Sequence, residues 1–383
     1  MKLSNTFKTT VASIGLAASL AATAATGETL NYAIGFPPGG AASDGVNEFN
    51  DLLSSEGDIK LKVFELSLLN LKETPPGVRD GLADAGYVLT AYYPAEFSEM
   101  NLASEMSMLS TIGTPTPSAG AVMTGVIAEY VMLRCPECQV QFKRENQVFL
   151  GGVGTSEYIN LCTSPIRSTA DLQGKKIRSS IASMGRWAES LGATKVTLPG
   201  NDIYEAMSQG VVDCAMVSAP ELGNLQLFDV TKYITTNVPG GTFAAVGALN
   251  LNLDTWQGMS PESRARLITM APHNSAMVTV NYSDNATTDL AKAKDMGIEI
   301  IEASQELRDA TEAFVKQDLE VIKENFANDY GVENIEEKTA TIIDLIEKWK
   351  GLTAEVYDDK AALAQLYEDE IFSKISVDSY YMD

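Results

Sequence analysis

The sequence predicts an α/β protein with two lobes, and three observations support this prediction. Strand-like and helix-like patterns alternate from residue 29 onward, which is typical of parallel sheets covered by helices. The chain has 383 residues, more than one hydrophobic core usually accommodates. From residue 304 to the C-terminus the pattern is almost wholly helical, so we expect long C-terminal helices that pack on the lobes.

The first 26 residues have the composition of a secretory signal peptide. Lys2 and Lys8 give a positively charged start, and residues 11–22 are apolar and mostly small. Residues 22–24, Ala-Thr-Ala, fit the small-residue cleavage pattern. The apolar run is too short to span a bilayer, and no later stretch is long enough. We therefore expect an exported protein without a membrane anchor, located in a bacterial periplasm.

The charge balance limits the partners that this protein can have. The formal net charge is −23, with 51 acidic and 28 basic residues. Such a field repels nucleic acids and anionic lipid surfaces, so we expect neither as a partner. An anionic ligand would need a local site, made by an arginine, backbone N–H groups or a helix N-terminus.

The first part of the chain is predicted to fold as strand, helix, strand, helix, strand, and this order makes three aromatic residues candidates for ligand contact. Phe36 lies in a Gly-Pro turn directly after the first strand. Tyr87 lies on the third strand and Tyr92 just beyond its end. The carboxyl ends of parallel strands gather ligand-facing residues. We therefore predict that Phe36, Tyr87 and Tyr92 contact a ligand. The strands are predicted at residues 29–34, 59–64 and 85–89.

Arg178 is the strongest candidate for a ligand-binding residue. It lies on a short strand, residues 176–179, in the predicted second lobe. A buried charge without a partner is very costly, so this guanidinium needs an anion. One of the many acidic side chains could supply it in an ion pair. If none does, the carboxylate of a ligand can.

Four further residues are predicted to contact the ligand. Ser156 and Tyr158 lie where the chain crosses into the second lobe, and both can donate hydrogen bonds to an acid. Met216 and Ser218 lie at the end of a strand that we expect to face the cleft.

The predicted domain boundaries follow from this order of elements. The first lobe is expected to contain residues 27–152 and about 220–255, because strands near 230–235 and 243–253 look like returns to it. The second lobe is expected to contain residues 153–219 and about 256–310. Residues 311–383 are predicted to form C-terminal helices that pack across both lobes.

The four cysteines leave several interpretations open. Cys135 and Cys138 have the spacing of a redox dithiol, of half a zinc site, or of a local structural disulfide. A zinc site lacks further ligands, since His273 is the only histidine and no second Cys-x-x-Cys occurs. We favour a structural bridge or an inert pair. Cys162 and Cys214 fall on strands that can be neighbours, so a second bridge could form.

The sequence gives little support for catalysis. With a single histidine and no Gly-x-Ser-x-Gly motif, a serine nucleophile with its usual partners is not predicted. We expect no catalytic residues, no cofactor and no metal site.

Several segments of the chain resemble those of a known family. Residues 171–178, Asp-Leu-Gln-Gly-Lys-Lys-Ile-Arg, and residues 209–213, Gln-Gly-Val-Val-Asp, are similar to segments of DctP-type solute-binding proteins. These serve TRAP transporters, the tripartite ATP-independent periplasmic systems. The resemblance extends over nearly the whole mature chain in order. It includes Trp187, residues 191–193, 198–199 and 204–206 between those segments, and residues 78–84, 249–256 and 259–264 outside them.

The resemblance implies a two-lobe fold like that of periplasmic binding proteins, with a ligand cleft that closes between the lobes. It implies that Arg178 holds the carboxylate of an organic acid, and that the closed protein docks on a small and a large membrane subunit. In one branch of the family a glutamate and a tryptophan lie near the ligand, where this chain has Met216 and Val217. This difference argues against a metal-bridged ligand and favours a more apolar pocket wall.

We therefore predict a solute-binding protein of a TRAP transporter that is not an enzyme. Two alternatives stay open. The protein could feed an ATP-driven importer or a sensor, or it could be a secreted redox protein that uses Cys135 and Cys138.

Overall fold

The computed structural model describes residues 28–238 and 240–382. The predicted signal peptide, residues 1–26, lies outside the described residues. Within the described ranges, none of the helices combines the length and apolar character that crossing a membrane would require.

The described residues form two β-sheets with helices packed around them, so the predicted α/β class with two lobes is confirmed. The strands are β1 Glu28–Ile34, β2 Ile59–Glu65, β3 Ala85–Leu89, β4 Gln147–Phe149, β5 Tyr158–Cys162, β6 Lys176–Ser179, β7 Thr194–Thr197, β8 Cys214–Ser218, β9 Tyr233–Thr236, β10 Val246–Asn252 and β11 Glu299–Glu302. The helices are α1 Ala41–Ser55, α2 Thr74–Arg79, α3 Ser98–Glu105, α4 Ala119–Glu129, α5 Pro136–Arg144, α6 Thr169–Leu172, α7 Ala182–Ser190, α8 Ile203–Ser208, α9 Glu221–Asn224, α10 Leu253–Gly258, α11 Pro261–Asp295, α12 Gln305–Asp329, α13 Ile335–Thr353 and α14 Lys360–Glu370.

The sheet of the first lobe has the strand order β2-β1-β3-β10-β4. β1 pairs in parallel with β2 and β3, as the alternation of strands and helices predicts. β10 enters this sheet antiparallel to β3 and β4. The carboxyl ends of β1 and β3 therefore lie at the same edge, and the segments that follow them meet there.

The sheet of the second lobe has the strand order β11-β9-β5-β8-β6-β7. β6 pairs in parallel with β7 and β8, and β5 is antiparallel to β8. β9 pairs with β5 in this sheet, whereas the sequence predicted that residues 230–235 return to the first lobe. The prediction was wrong because the strand itself, Tyr-Ile-Thr-Thr, does not specify its neighbours, and only the tertiary structure places it between β11 and β5.

Long helices join the two lobes. α11 packs against α1 of the first lobe, where a β-carbon on Gly45 would lie 2.8 Å from Val278 Cα. The same helix then leads into β11 of the second sheet. Much of the range 256–310 thus packs in the first lobe, although it was predicted to lie in the second. α12 contacts α7 of the second lobe and α3 of the first, while α13 packs on α4 and α14 on α11.

Both cysteine pairs form disulfides, Cys135–Cys138 and Cys162–Cys214. Cys162 and Cys214 are directly opposed residues of β5 and β8. Cys135 and Cys138 are almost completely buried and stand at the start of α5, after a helical segment rather than a strand. This placement is that of a structural bridge, because an exchanging thiol must be accessible.

Candidate functional site: the cavity between the lobes

The candidate site is a cavity that residues of both lobes enclose. Phe36 and Tyr87 line it from the first lobe, and Tyr158 and Arg178 line it from the second. Its volume is about 30 Å³, which is room for about two water molecules. The lobes are therefore closed on each other in this structure, and a molecule larger than this volume could enter only if they separate.

Arg178 lies on β6 and is 2% exposed. Its Nε donates a hydrogen bond to the carbonyl oxygen of Leu198 at 3.1 Å. None of the ion pairs among residues 28–238 and 240–382 includes Arg178. A buried guanidinium without a carboxylate partner leaves its positive charge available to a ligand in the cavity.

Aromatic side chains form much of the remaining wall. The rings of Tyr158 and Phe243 are nearly parallel, with centroids 6.4 Å apart, and Phe36 packs edge-on against Tyr87 at 6.0 Å. The Tyr158 hydroxyl accepts a hydrogen bond from Ser180 at 3.3 Å. Burial raises the pKa of Tyr158, while the positive charge of Arg178 acts in the opposite direction. These surfaces are suited to the apolar body of a ligand.

The cavity brings together five of the residues that the sequence predicts as ligand contacts, namely Arg178, Tyr158, Phe36, Tyr92 and Tyr87.

Met216, Ser218 and Ser156, which the sequence also predicts as ligand contacts, do not line this cavity. On β8 it is Val217 that faces the cavity, and neighbouring residues of a strand point to opposite faces of the sheet. Ser218 instead donates a hydrogen bond to Glu221 Oε1 at 3.4 Å.

The lining residues that were not predicted from the sequence include Glu221, Phe243 and Tyr282. Glu221 begins α9, shortly after the carboxyl end of β8, so the rule that identified Tyr92 would have found it. Tyr282 lies in the middle of the long helix α11, where no sequence signal separates a lining residue from a core residue.

Glu221 is the carboxyl group of this cavity and is 6% exposed. Burial raises its pKa to about 7, although Asn224, Tyr282 and Arg178 act in the opposite direction. Across residues 28–238 and 240–382, no three His, Cys, Asp or Glu side chains form a group that could hold a metal ion. Among the described residues that line the cavity, Glu221 is thus the one carboxyl group and Arg178 the one cation.

Hydrogen bonds between the lobes surround the cavity. The backbone N–H of Gly200 in the second lobe donates to the Tyr92 hydroxyl of the first lobe at 2.8 Å. The side chain of Asn201 accepts from the N–H of Leu71 at 3.1 Å and donates to the carbonyl of Gly35 at 3.0 Å. These contacts exist only while the lobes are closed.

Two lobes joined by crossing segments, with a closed cavity between them, define the class of two-lobe solute-binding proteins. Residues 120–329, more than half of the chain, match the model of the DctP family, described as bacterial extracellular solute-binding protein, family 7. The chain belongs to this family. The predicted identity as a DctP-type solute-binding protein of TRAP transport is therefore confirmed, and so is the prediction that it is a transport protein and not an enzyme.

Individual relatives agree with this assignment. A protein described as a solute-binding protein, from Albidiferax ferrireducens, is 22% identical over 78% of this chain and 85% of its own length. Among solved structures, a marine metagenome TRAP solute-binding protein specific for aromatic acid ligands, in complex with metahydroxyphenylacetate, has a TM-score of 0.71 and 21% identity, over 84% of this chain and 99% of its own. A TRAP periplasmic solute-binding protein from Bordetella bronchiseptica with bound mandelate has a TM-score of 0.68 and 20% identity, over 84% and 99%.

Proposed function

We propose that this protein captures an organic acid between its lobes, with Arg178 binding the carboxylate, and delivers it to the small and large membrane subunits of a TRAP transporter. The observation that supports the proposal most is the Arg178 guanidinium, buried at the cavity and in no ion pair among the described residues. The aromatic acid and mandelate bound by the similar structures are also carboxylates.

A guanidinium suits this role for geometric reasons. Its planar fork meets both oxygens of a carboxylate in two parallel charge-assisted hydrogen bonds. Because Arg178 is buried, a ligand carboxylate there would be held away from competing water. The net charge of −23 would repel an acid at a distance, so the attraction depends on this local group.

The mechanism follows from the placement of lining residues on both lobes. A ligand that contacts Arg178 and Tyr158 of the second lobe together with Phe36 and Tyr87 of the first favours the closed arrangement. Binding shifts the population from open to closed by its differential affinity for the two states. The membrane subunits would then recognise the closed form. We place this cycle in the periplasm, reached through the signal peptide predicted at residues 1–26.

The test begins with a thermal-shift screen of benzoate, mandelate, 3-hydroxyphenylacetate and pyruvate, since a ligand that binds only the folded state raises the melting temperature. The best acid is then titrated by calorimetry against the wild type and Arg178→Ala. We expect the variant to lose more than about 2 kcal/mol of binding free energy, about 30-fold in Kd.

Arg167→Ala is the matched control, because Arg167 lies in the same lobe in an exposed pair with Glu299. Its Kd should remain that of the wild type. An unchanged Kd for Arg178→Ala would refute the role of this arginine. A flat response to a broad panel of acids would refute the proposed function.

A further inference from the structure

Two buried polar atoms at this cavity have no hydrogen-bond partner among the described residues: Glu221 Oε2 and Tyr87 Oη. Glu221 is 6% exposed and Tyr87 is 1% exposed. Buried polar groups in folded proteins nearly always have a partner, so each unpaired one needs an explanation, such as a functional role or a bound molecule. Both residues line the space between the lobes, so a ligand there can supply the partners.

The surroundings of Glu221 explain why its oxygen Oε2 has no hydrogen-bond partner among the described residues. Its Oε1 accepts the weak hydrogen bond from Ser218 at 3.4 Å. Asn224 lies near enough to lower the pKa of Glu221, but its side-chain amide makes its hydrogen bonds with other groups: Nδ2 donates to the Tyr282 hydroxyl at 3.4 Å and Oδ1 accepts from the N–H of Ala41 at 2.9 Å. No ion pair of the described residues includes Glu221.

Arg178 and Glu221 are the two charged residues among the described residues that line the cavity. A simple apolar acid would satisfy Arg178 and leave Glu221 Oε2 unpaired in a closed space. A ligand with a carboxylate at one end and a hydrogen-bond donor elsewhere would satisfy both groups. The aromatic rings of Phe36, Tyr158 and Phe243 would then contact the part of the ligand between its carboxylate and its hydrogen-bond donor.

We propose that Glu221 selects organic acids that carry a second polar group, a hydroxyl or an N–H, which donates a hydrogen bond to Oε2. This inference rests on the proposed function, because it assumes that Arg178 holds the carboxylate. Sites built to pair with a substrate donor discriminate strongly against the analogue that lacks it, since the buried group of the site then stays unpaired. Tyr87 would make the neighbouring contact to the same polar group.

The test uses matched acids that differ only in the donor: benzoate against 3-hydroxybenzoate, phenylacetate against 3-hydroxyphenylacetate, and 3-oxocyclopentanecarboxylate against pyrrolidone carboxylate. The first two pairs test an O–H donor and the third an N–H donor. For the pair that binds best, we expect the wild type to prefer the donor-carrying acid at least tenfold in Kd.

Glu221→Leu should abolish this preference, so that the ratio of the two dissociation constants approaches one. Arg178→Ala should instead weaken both acids and leave neither well bound. Glu205→Gln, an exposed carboxylate in the same lobe, is the control and should keep the wild-type ratio. If Glu221→Leu does not fold, Glu221→Gln is tested instead. A preference for the donor-carrying acid that is smaller than that of the wild type would then support the same role for Glu221.

The outcomes separate this inference from the proposed function. If the wild type binds the acids of every pair equally well, or if both Glu221 variants keep the full preference, the selection by Glu221 is overturned while acid binding stands. If the wild type binds no acid of any pair, the proposed function itself fails.

Discussion

Gly40 and Asn224 are in direct contact across the two lobes: a β-carbon on Gly40 would lie 2.1 Å from Asn224 Oδ1. That oxygen accepts the backbone N–H of Ala41, the first residue of α1, at 2.9 Å. α1 belongs to the first lobe and Asn224 to the second. The Asn224 side chain of the second lobe thus accepts a hydrogen bond from an N–H at the start of α1 that has no partner within its own helix. This hydrogen bond exists only while the lobes are closed.

Gly40→Ala should therefore oppose closure. Gly40 has φ −116° and ψ 165°, an extended conformation that alanine adopts without strain, so the effect is confined to the collision with Asn224. We expect the Kd for the acid ligand to rise about tenfold, or about 1.4 kcal/mol. Small-angle scattering should show a larger fraction of open molecules at a fixed ligand concentration.

Gly258→Ala is the matched control, because a β-carbon there meets no atom within 4 Å. It should bind and close as the wild type does. If Gly40→Ala also closes normally with an unchanged Kd, the contact does not limit closure.

Glu105 forms a second connection between the lobes. Its carboxylate, at the end of α3, accepts the N–H groups of Ala182 and Ser183 at 2.7 and 2.5 Å. These two residues are the first of α7 in the second lobe, and a negative charge at a helix N-terminus interacts favourably with the helix dipole. Glu105→Gln removes the charge and keeps the size. We expect about 1 kcal/mol less stabilisation of the closed state, seen by calorimetry as a roughly fivefold higher Kd.

Glu312→Gln, which breaks an exposed pair with Lys316 on the surface of α12, should leave the Kd unchanged. Equal affinities of wild type and Glu105→Gln would show that this carboxylate acts within the folded lobes and not on closure.

The free energy of unfolding should depend on pH through Glu221. Burial raises the pKa of this group to about 7 from an ordinary value of 4.5, so the folded state binds the proton more tightly than the unfolded state. As the pH rises from 4.5 to above 7, ionisation of Glu221 therefore lowers the free energy of unfolding, by up to about 3 kcal/mol at the upper end. Glu221→Gln should gain stability relative to the wild type between pH 4.5 and pH 8.

Urea unfolding of the ligand-free proteins at these two pH values measures the effect. Glu105 and Asp289 also have raised pKa values through burial, and they contribute equally to both proteins, so the difference isolates Glu221. A stability difference that is the same at both pH values would contradict the prediction.

The two disulfides should differ in their effect on stability and agree in leaving ligand binding intact. Cys162–Cys214 has a sequence separation of 52 and Cys135–Cys138 one of 3. Loop-closure entropy gives about 4 kcal/mol for the longer loop and about 2 kcal/mol for the shorter. Urea unfolding of each Cys→Ala double variant measures these losses. A large loss of ligand affinity in the Cys135/Cys138 variant would contradict a purely structural role.

The sequence predicted well those features that depend on neighbouring residues. The strand that carries Arg178, the turn with Phe36 and the end of β3 near Tyr92 all follow from local periodicity and from the position of strand ends. The placement of β9 was wrong, because its pairing partner lies far away in the chain. Met216 and Ser218 were chosen by their distance along β8, whereas the face that each residue presents depends on how that strand docks in the sheet.

The sequence by itself determined the α/β alternation, the family resemblance and the short strand that carries Arg178, because each of these depends on short stretches of neighbouring residues. Only the tertiary structure decided that Arg178 has no carboxylate partner among the described residues, that Glu221 and Tyr282 share its cavity, and that Asn224 reaches the start of α1. Those relations join residues from distant elements, and side-chain packing across the closed lobes sets them.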